Sequence, residues 1–256
     1  MIRTFDLTIG YRRGKKEIPV QKKLNLHAGE GEMISLIGPN GCGKSTLLRT
    51  LCGLQLPLEG YIQIQNNNLE KISLTQRARM FGLVLTDPVH IGYVTVKQMV
   101  AMGRHPYTTF SGKLSEEDEQ CIARSMAAVH LDTFADRFLS ELSDGEHQRV
   151  MIAKALAQDT PFILLDEPTS HLDLPNRVEM MLLLRNLAHD LQRSILISTH
   201  EIDLALRLSD KIWLMSPGES VETGTPAELM ESRRIQSVFH SESFGFEPET
   251  GHIIIF

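Results

Sequence analysis

Met33-Ile34-Ser35-Leu36-Ile37-Gly38-Pro39-Asn40-Gly41-Cys42-Gly43-Lys44-Ser45-Thr46 is the stretch on which the reading of this chain turns. Its first five residues form a mostly apolar run of buried-strand length. The run enters a turn of the form G-x-x-x-x-G-K-S from Gly38 to Ser45, and leucines at 47, 48 and 51 then recur at helical spacing. Strand, glycine turn and helix in that order are the context in which the pattern has physical meaning. The glycines let the backbone curl until its N–H groups face a phosphate, and a helix N-terminus adds positive potential. Lys44 is expected to reach the β- and γ-phosphates of a nucleotide, Ser45 to ligate Mg²⁺ and Thr46 to help hold the α-phosphate. Pro39, Asn40 and Cys42 fill the variable positions. By itself the motif says only nucleotide.

Working outward, apolar runs alternate with helical patterns, which predicts an α/β protein with a mostly parallel sheet. Tyr61 to Gln65 alternates like a half-buried strand, Phe81 to Leu85 reads as another, and Phe162-Ile163-Leu164-Leu165-Asp166 and Ser194-Ile195-Leu196-Ile197-Ser198 read as central strands. Between about Val94 and Ala157 the pattern is helical, including a Ser115/Asp118 capping box before a helix expected to end near Leu131. Lys211 to Thr223 reads as a hairpin, Thr225-Pro226-Ala227-Glu228 as a helix start, and Ile253 to Ile255 as a short strand. The strand ending in Asp166 is followed at once by Glu167. A strand tip beside a phosphate loop suits Asp166 to Mg²⁺ and Glu167 to polarising a water for in-line attack.

Bulk properties narrow the field. The net charge of −6 argues against nucleic acid as the main partner. Three cysteines without C-x-x-C spacing suggest neither a disulfide framework nor a zinc site, and fit a reducing cytosol. The first residues lack the apolar run of a signal peptide, and no apolar stretch approaches the roughly 20 residues of a membrane helix. Any membrane role is therefore expected to pass through a partner.

Leu142-Ser143-Asp144-Gly145-Glu146 resembles the LSGGQ signature of ABC ATPases, and it lies between the phosphate loop and the Asp166-Glu167 strand in the family's order. Ser170-His171-Leu172-Asp173 is similar to that family's D-loop, His200 to its switch histidine, and Tyr11 to the aromatic residue that stacks on adenine. The resemblance spans nearly the whole chain, and several motifs in one order are far more specific than any one of them. It implies a P-loop NTPase core with an N-terminal antiparallel β part and an inserted helical subdomain: core about 1–90 and 158–235, helical part about 91–157, and a short extension 236–256. It also implies ATP and Mg²⁺ as ligands and an ATP-dependent homodimer, in which Ser143 and the Gly145 N–H meet the γ-phosphate held by the other copy. Membrane permease subunits, and indirectly a solute-binding protein, are the further partners implied. The chain is then expected at the cytoplasmic face of a bacterial inner membrane, as a peripheral subunit.

The sequence departs from the pattern in places. Thr86 stands where the family has glutamine, and Thr86 and Asp87 are further candidates around the metal. Asp144 and Glu146 replace Gly and Gln, and two acids near a γ-phosphate are unfavourable unless they point away. Cys42, at a helix N-terminus, is expected to have a lowered thiol pKa. Met102-Gly103-Arg104-His105-Pro106-Tyr107-Thr108 is similar to a run in cassettes that import ferric siderophores, haem and cobalamin, and reads as a loop at the permease interface. An exporter cassette, another importer, and a soluble ABC-type ATPase acting on nucleic acid or ribosomes stay open. The last is disfavoured by the net charge and by the lack of room for a long coiled coil in the roughly 100 residues between phosphate loop and signature.

Overall fold

The computed structural model describes residues 1–86, 92–108, 112–218, 220–239, 244–246 and 253–255. In chain order the elements are β1 (Ile2–Arg13), β2 (Lys16–Leu24), β3 (His27–Ala28), β4 (Met33–Ile37), α1 (Lys44–Leu51), β5 (Glu59–Ile64), β6 (Asn67–Asn68), α2 (Leu74–Ala78) and β7 (Phe81–Val84). There follow α3 (Val96–Ala101), α4 (Glu116–Ala127), α5 (Asp144–Ala157), β8 (Phe162–Asp166), α6 (Leu174–Asp190), β9 (Ser194–Ser198) and α7 (Ile202–Leu208). The chain continues through β10 (Lys211–Leu214), β11 (Glu222–Gly224), α8 (Pro226–Glu231), α9 (Arg234–Val238), β12 (Phe244–Phe246) and β13 (Ile253–Ile255).

One sheet has the order β11-β10-β4-β9-β8-β7, parallel from β10 to β7 with β11 antiparallel at the edge. Every residue of β4, β8 and β9 is buried, as expected for strands covered on both faces. The second sheet, β2-β1-β5-β6 with β3 on β1, is antiparallel. Helix α1 lies between the sheets, its Leu47, Leu48 and Leu51 sharing a core with Leu7 and Ile9 of β1 and Leu36, Leu164 and Leu196 of the parallel strands. The opposite face of the parallel sheet is covered by α5 and α6, whose Ile152, Met181 and Leu184 pack on Ile163, Leu165 and Ile197. The register aligns Asp166 with Ser198 and Ser198 with Leu36, so the ends of β4, β8 and β9 meet at one edge. In open α/β sheets that carboxyl edge is where ligands bind.

Helix α4 begins at the expected Ser115/Asp118 capping box but ends at Ala127, four residues before Leu131. His130 adopts a left-handed φ of 61°, and the Leu131 N–H returns to the Met126 carbonyl at 2.9 Å. This closure drops Leu131 into the core and ends the helix early.

The Gly103–Thr108 run corrects an expectation. Arg104 does not front a surface loop; it is only 6% exposed. Its Nε donates to Asp118 Oδ1 at 2.7 Å and its Nη1 to the Ala157 carbonyl at 2.9 Å, with the guanidinium 4.0 Å from the Tyr107 ring centroid. Tyr107 donates to the Gln158 carbonyl, and Arg79 donates twice to the Pro106 carbonyl. Gly103 crosses the last turn of α5 so closely that a Cβ there would lie 2.2 Å from the Lys154 carbonyl oxygen. The run fastens α3 and α4 to the C-terminal end of α5.

The Ser115 backbone N–H and hydroxyl, followed by the Arg104 guanidinium, hold the Asp118 carboxyl down to about 2. A depressed carboxylate stabilises the fold above its ordinary range, and that contribution is lost as pH falls through the folded-state value. Arg104→Met should therefore cost about 3 kcal/mol at neutral pH, because it leaves a buried carboxylate without its cation. Urea titration should show wild-type stability falling from pH 4 towards pH 2, with a shallower fall in the variant.

Candidate functional site

The phosphate loop leaves β4 at Gly38 and enters α1 at Gly43, which caps the helix with φ 106°. That left-handed backbone suits glycine, and space alone would demand it, since a Cβ would lie 2.5 Å from Val20 Cγ1. Gly41 is also left-handed, at φ 79°. Lys44 is buried, its Nζ donating to the Gly38 carbonyl at 2.9 Å and the Pro39 carbonyl at 3.4 Å, so the ammonium lies folded over the loop. Gln21 braces the loop from β2, donating to the carbonyls of Cys42 and Ser216. The Tyr11 hydroxyl is 2.8 Å from Thr46 Oγ1, which brings a half-exposed ring against the start of α1.

Across the sheet edge, the buried Asp166 accepts hydrogen bonds on Oδ1 from the hydroxyls of Ser45 (3.0 Å) and Ser198 (2.6 Å). Carboxylate and hydroxyl oxygens are the hard donors that Mg²⁺ takes, so the Ser45–Asp166 pair fits such an ion. Glu167 has φ 50°, unusual for a non-glycine residue. Its N–H donates to the Ser198 carbonyl and hydroxyl at 3.1 and 3.0 Å, which holds the strained backbone in place. Its carboxylate lies 3.8 Å from His200 Nδ1. The Thr86 hydroxyl donates to the Asp166 carbonyl at 2.8 Å and ties the end of β7 to the end of β8. Asp87 lies outside the described residues. Ser198 is a site residue that the sequence reading did not single out; its only signal was standing at the end of a central strand.

The signature turn forms a separate cluster. Ser143 is the N-cap of α5, and its N–H and hydroxyl donate to Glu146 Oε2 at 2.8 and 2.9 Å. Glu146 thus closes a capping box as a glutamine would. Chiefly the Ser143 N–H holds the Glu146 carboxyl below its ordinary range, aided by the Ser143 hydroxyl and Arg137, although burial works against this. The carboxylate does not point away; it covers the hydroxyl expected to face an anion. A Cβ on Gly145 would lie 3.7 Å from Leu172 and 3.9 Å from Asn176. The turn and the 170–173 loop share a cavity of about 530 Å³ whose lining includes Leu142, Asp144, His147, Ser170, Leu172 and Thr86. Within one chain the signature therefore stands beside the Ser170–Asp173 loop, with the cavity between them. Asp173 itself is the N-cap of α6.

Comparison with known proteins shows the family to which the chain is similar. The model of the family described as ABC transporter matches residues 21–170. The petrobactin import ATP-binding protein FpuD of Bacillus anthracis is 37% identical over 241 residues, covering 94% of this chain and 87% of its own length. The ferric enterobactin transport ATP-binding protein FepC of Escherichia coli K12 is 33% identical over 238 residues, covering 93% and 86%. A solved dimeric structure of an ATP-binding cassette in a post-hydrolysis state, bound to ADP and Pi, matches with a TM-score of 0.75 and 30% identity over 88% of this chain and 99% of that one.

Cys42 reverses its expectation. Its side chain is buried beneath Gly38, and burial pushes the thiol pKa up, outweighing the favourable charge of Lys44. Titration with an aromatic disulfide reagent at neutral pH should leave Cys42 unreacted in the folded chain and label it rapidly in urea, a contrast of about a hundredfold or more in rate.

Proposed function

This chain belongs to the ABC transporter family of ATP-binding cassettes, and on that premise we propose that it is the ATPase subunit of a bacterial importer for a metal chelate: a ferric siderophore, haem or cobalamin. The chelate class is supported by the petrobactin import of FpuD, by the ferric enterobactin transport of FepC and by the Gly103–Thr108 run that the chain holds in its helical layer. The division proposed is a nucleotide-binding core of about 1–90 and 158–235, a helical part of about 91–157, and an extension of 236–256. No helix among the described residues is long and apolar enough to cross a membrane. The subunit is accordingly proposed to sit at the cytoplasmic face of the inner membrane against permease subunits, with a solute-binding protein delivering the chelate outside.

The single observation that carries the reading is the division of the chemistry within one chain. The phosphate loop, Asp166, Glu167 and His200 gather at the sheet edge, while Ser143 and Gly145 gather on the 170–173 loop. Two copies arranged head to tail would complete each site with the other's signature. ATP would lie with its phosphates against Gly38–Ser45, its α-phosphate by Thr46, and its adenine on Tyr11. Lys44 would turn from the Gly38 and Pro39 carbonyls onto the β- and γ-phosphates. Mg²⁺ held by Ser45 and Asp166, with Thr86 nearby, would neutralise charge developing on the phosphates. Glu167 would polarise the attacking water, and His200 would steady the γ-phosphate as negative charge builds there. Ser143 Oγ and the Gly145 N–H of the second copy would add donors at a helix N-terminus. The Glu146 carboxylate must release Ser143 for that contact, which would make closure depend on nucleotide.

Glu167→Gln should lower kcat by about a thousandfold while leaving ATP binding intact, because it removes the base but keeps the shape. Sedimentation should find that variant dimeric with Mg-ATP and monomeric without it, and Lys44→Ala monomeric in both. A Glu167→Gln chain that stays monomeric at saturating Mg-ATP would overturn the reading. Thr86→Ala should lower turnover by about tenfold through loss of the β7–β8 tie; unchanged hydrolysis would remove Thr86 from the site.

A further inference from the structure

Arg177 and Glu201 belong to none of the phosphate-loop, signature or carboxylate motifs, yet together they join three of the segments described above. Arg177 stands in the first turn of α6, just after the 170–173 loop. Its Nε donates to the Leu172 carbonyl at 2.6 Å, and its Nη1 donates to Glu201 Oε1 at 2.6 Å. The same Glu201 oxygen lies 3.4 Å from His200 Nε2, and the opposite ring nitrogen, Nδ1, faces Glu167 at 3.8 Å. Glu201 is held on its own side as well, its N–H donating to Thr199 Oγ1 at 3.0 Å. Hydrogen bonds thus run from the Leu172 carbonyl through Arg177 to Glu201, and proximity alone, at 3.4 and 3.8 Å, carries the line on through His200 to Glu167. Leu172 is buried beside Gly145, which sets the 170–173 loop next to the signature turn.

The chemistry of the line is specific. The Glu201 side chain is 17% exposed and that of Arg177 31%, so their charge-assisted bond is far less screened than an open surface pair. Arg177 uses two different nitrogens of one planar fork, one on the loop and one on the carboxylate; a lysine would have to reach both acceptors from a single, unplanar ammonium nitrogen, without the fixed spacing of the fork.

We propose that Arg177 and Glu201 are a positioning pair that couples the 170–173 loop to the ring of His200, so that closure between two copies is registered at the histidine beside Glu167. The proposal rests on the dimeric ATPase reading and adds its internal coupling. The pair is given no part in holding nucleotide or the attacking water; it acts through the imidazole. In the proposed head-to-tail arrangement the signature meets the other copy's phosphate, and the 170–173 loop beside it would lie along the boundary between copies. Movement there pulls on the Leu172 carbonyl, Arg177 follows, and the Glu201 carboxylate moves towards or away from Nε2.

The test is steady-state Mg-ATP hydrolysis by the full chain as wild type, Arg177→Met, Arg177→Lys, Glu201→Gln and the double Arg177→Met/Glu201→Gln, each with a thermal melt. Arg177→Met and Glu201→Gln should lose about tenfold in kcat with KM for ATP held within about twofold. The double variant should be no slower than either single one, because each breaks the same line. Arg177→Lys should melt near the wild type yet lose turnover and the sigmoidal dependence on ATP, a combination that a purely structural staple would not give. Wild-type rates and cooperativity in all four variants would overturn the proposal. So would losses that multiply in the double variant, or losses that track lost folded fraction throughout, Arg177→Lys included. Wild-type chain without turnover would sink the ATPase reading and this inference with it, whereas wild-type turnover with indifferent variants would sink this inference alone.

Discussion

One oxygen, Oδ1 of Asp166, holds the site together. It accepts the Ser45 hydroxyl from the start of α1 and the Ser198 hydroxyl from the end of β9, and it sits at the buried tip of β8. Three segments far apart in sequence are pinned to one atom, and each bond is strengthened by the carboxylate charge and by the exclusion of water. The geometry around it follows. Ser198 also receives the Glu167 N–H, which fixes a residue in left-handed backbone, and Thr86 adds a bond to the Asp166 carbonyl. Strain at Glu167 persists because several neighbours over-determine its position, a frequent arrangement where a side chain must be aimed.

The parallel sheet makes that convergence possible. Strands β4, β8 and β9 are buried along their whole length, and their register ends them together. Loops leaving their carboxyl ends have nowhere to go but one edge, and so the phosphate loop, Glu167 and His200 meet there. The helical layer serves a different end. Arg104, Asp118 and Tyr107 fasten α3 and α4 to the end of α5, while the start of α5 carries the signature turn to the 170–173 loop. Fixing the far end of α5 rigidly sets the direction of its N-terminus, the end that offers donors to an anion.

The acidic signature gains a physical account in this setting. Glutamate at the third helical position completes a capping box as well as glutamine does, so the start of α5 is kept intact. The difference is charge. The Glu146 carboxylate lies on the hydroxyl and N–H of Ser143 and offsets part of the positive potential at the helix terminus. In the proposed dimer, a helix end satisfied internally would hold a phosphate less tightly and so favour an association that reverses after hydrolysis.

The sequence by itself determined the local elements whose physics is short-range. The glycine turn entering α1, the boxes at Ser115 and Thr225, the buried strands and the acid pair at the tip of β8 all follow from spacing and residue type within a few positions. Only the tertiary structure decided what depends on burial and on distant partners. Arg104 reads as a surface cation until Asp118 and Ala157 close around it, and Cys42 reads as an activated thiol until desolvation outweighs the helix end. Helix α4 ends where the left-handed turn at His130 drops Leu131 into the core. The Arg177–Glu201 and Ser198–Asp166 bonds join residues 24 and 32 positions apart, which no local spacing in the sequence foretells. Side-chain identity fixes what a residue can donate or accept, but only the fold brings the second group of each pair within reach and removes the water between them.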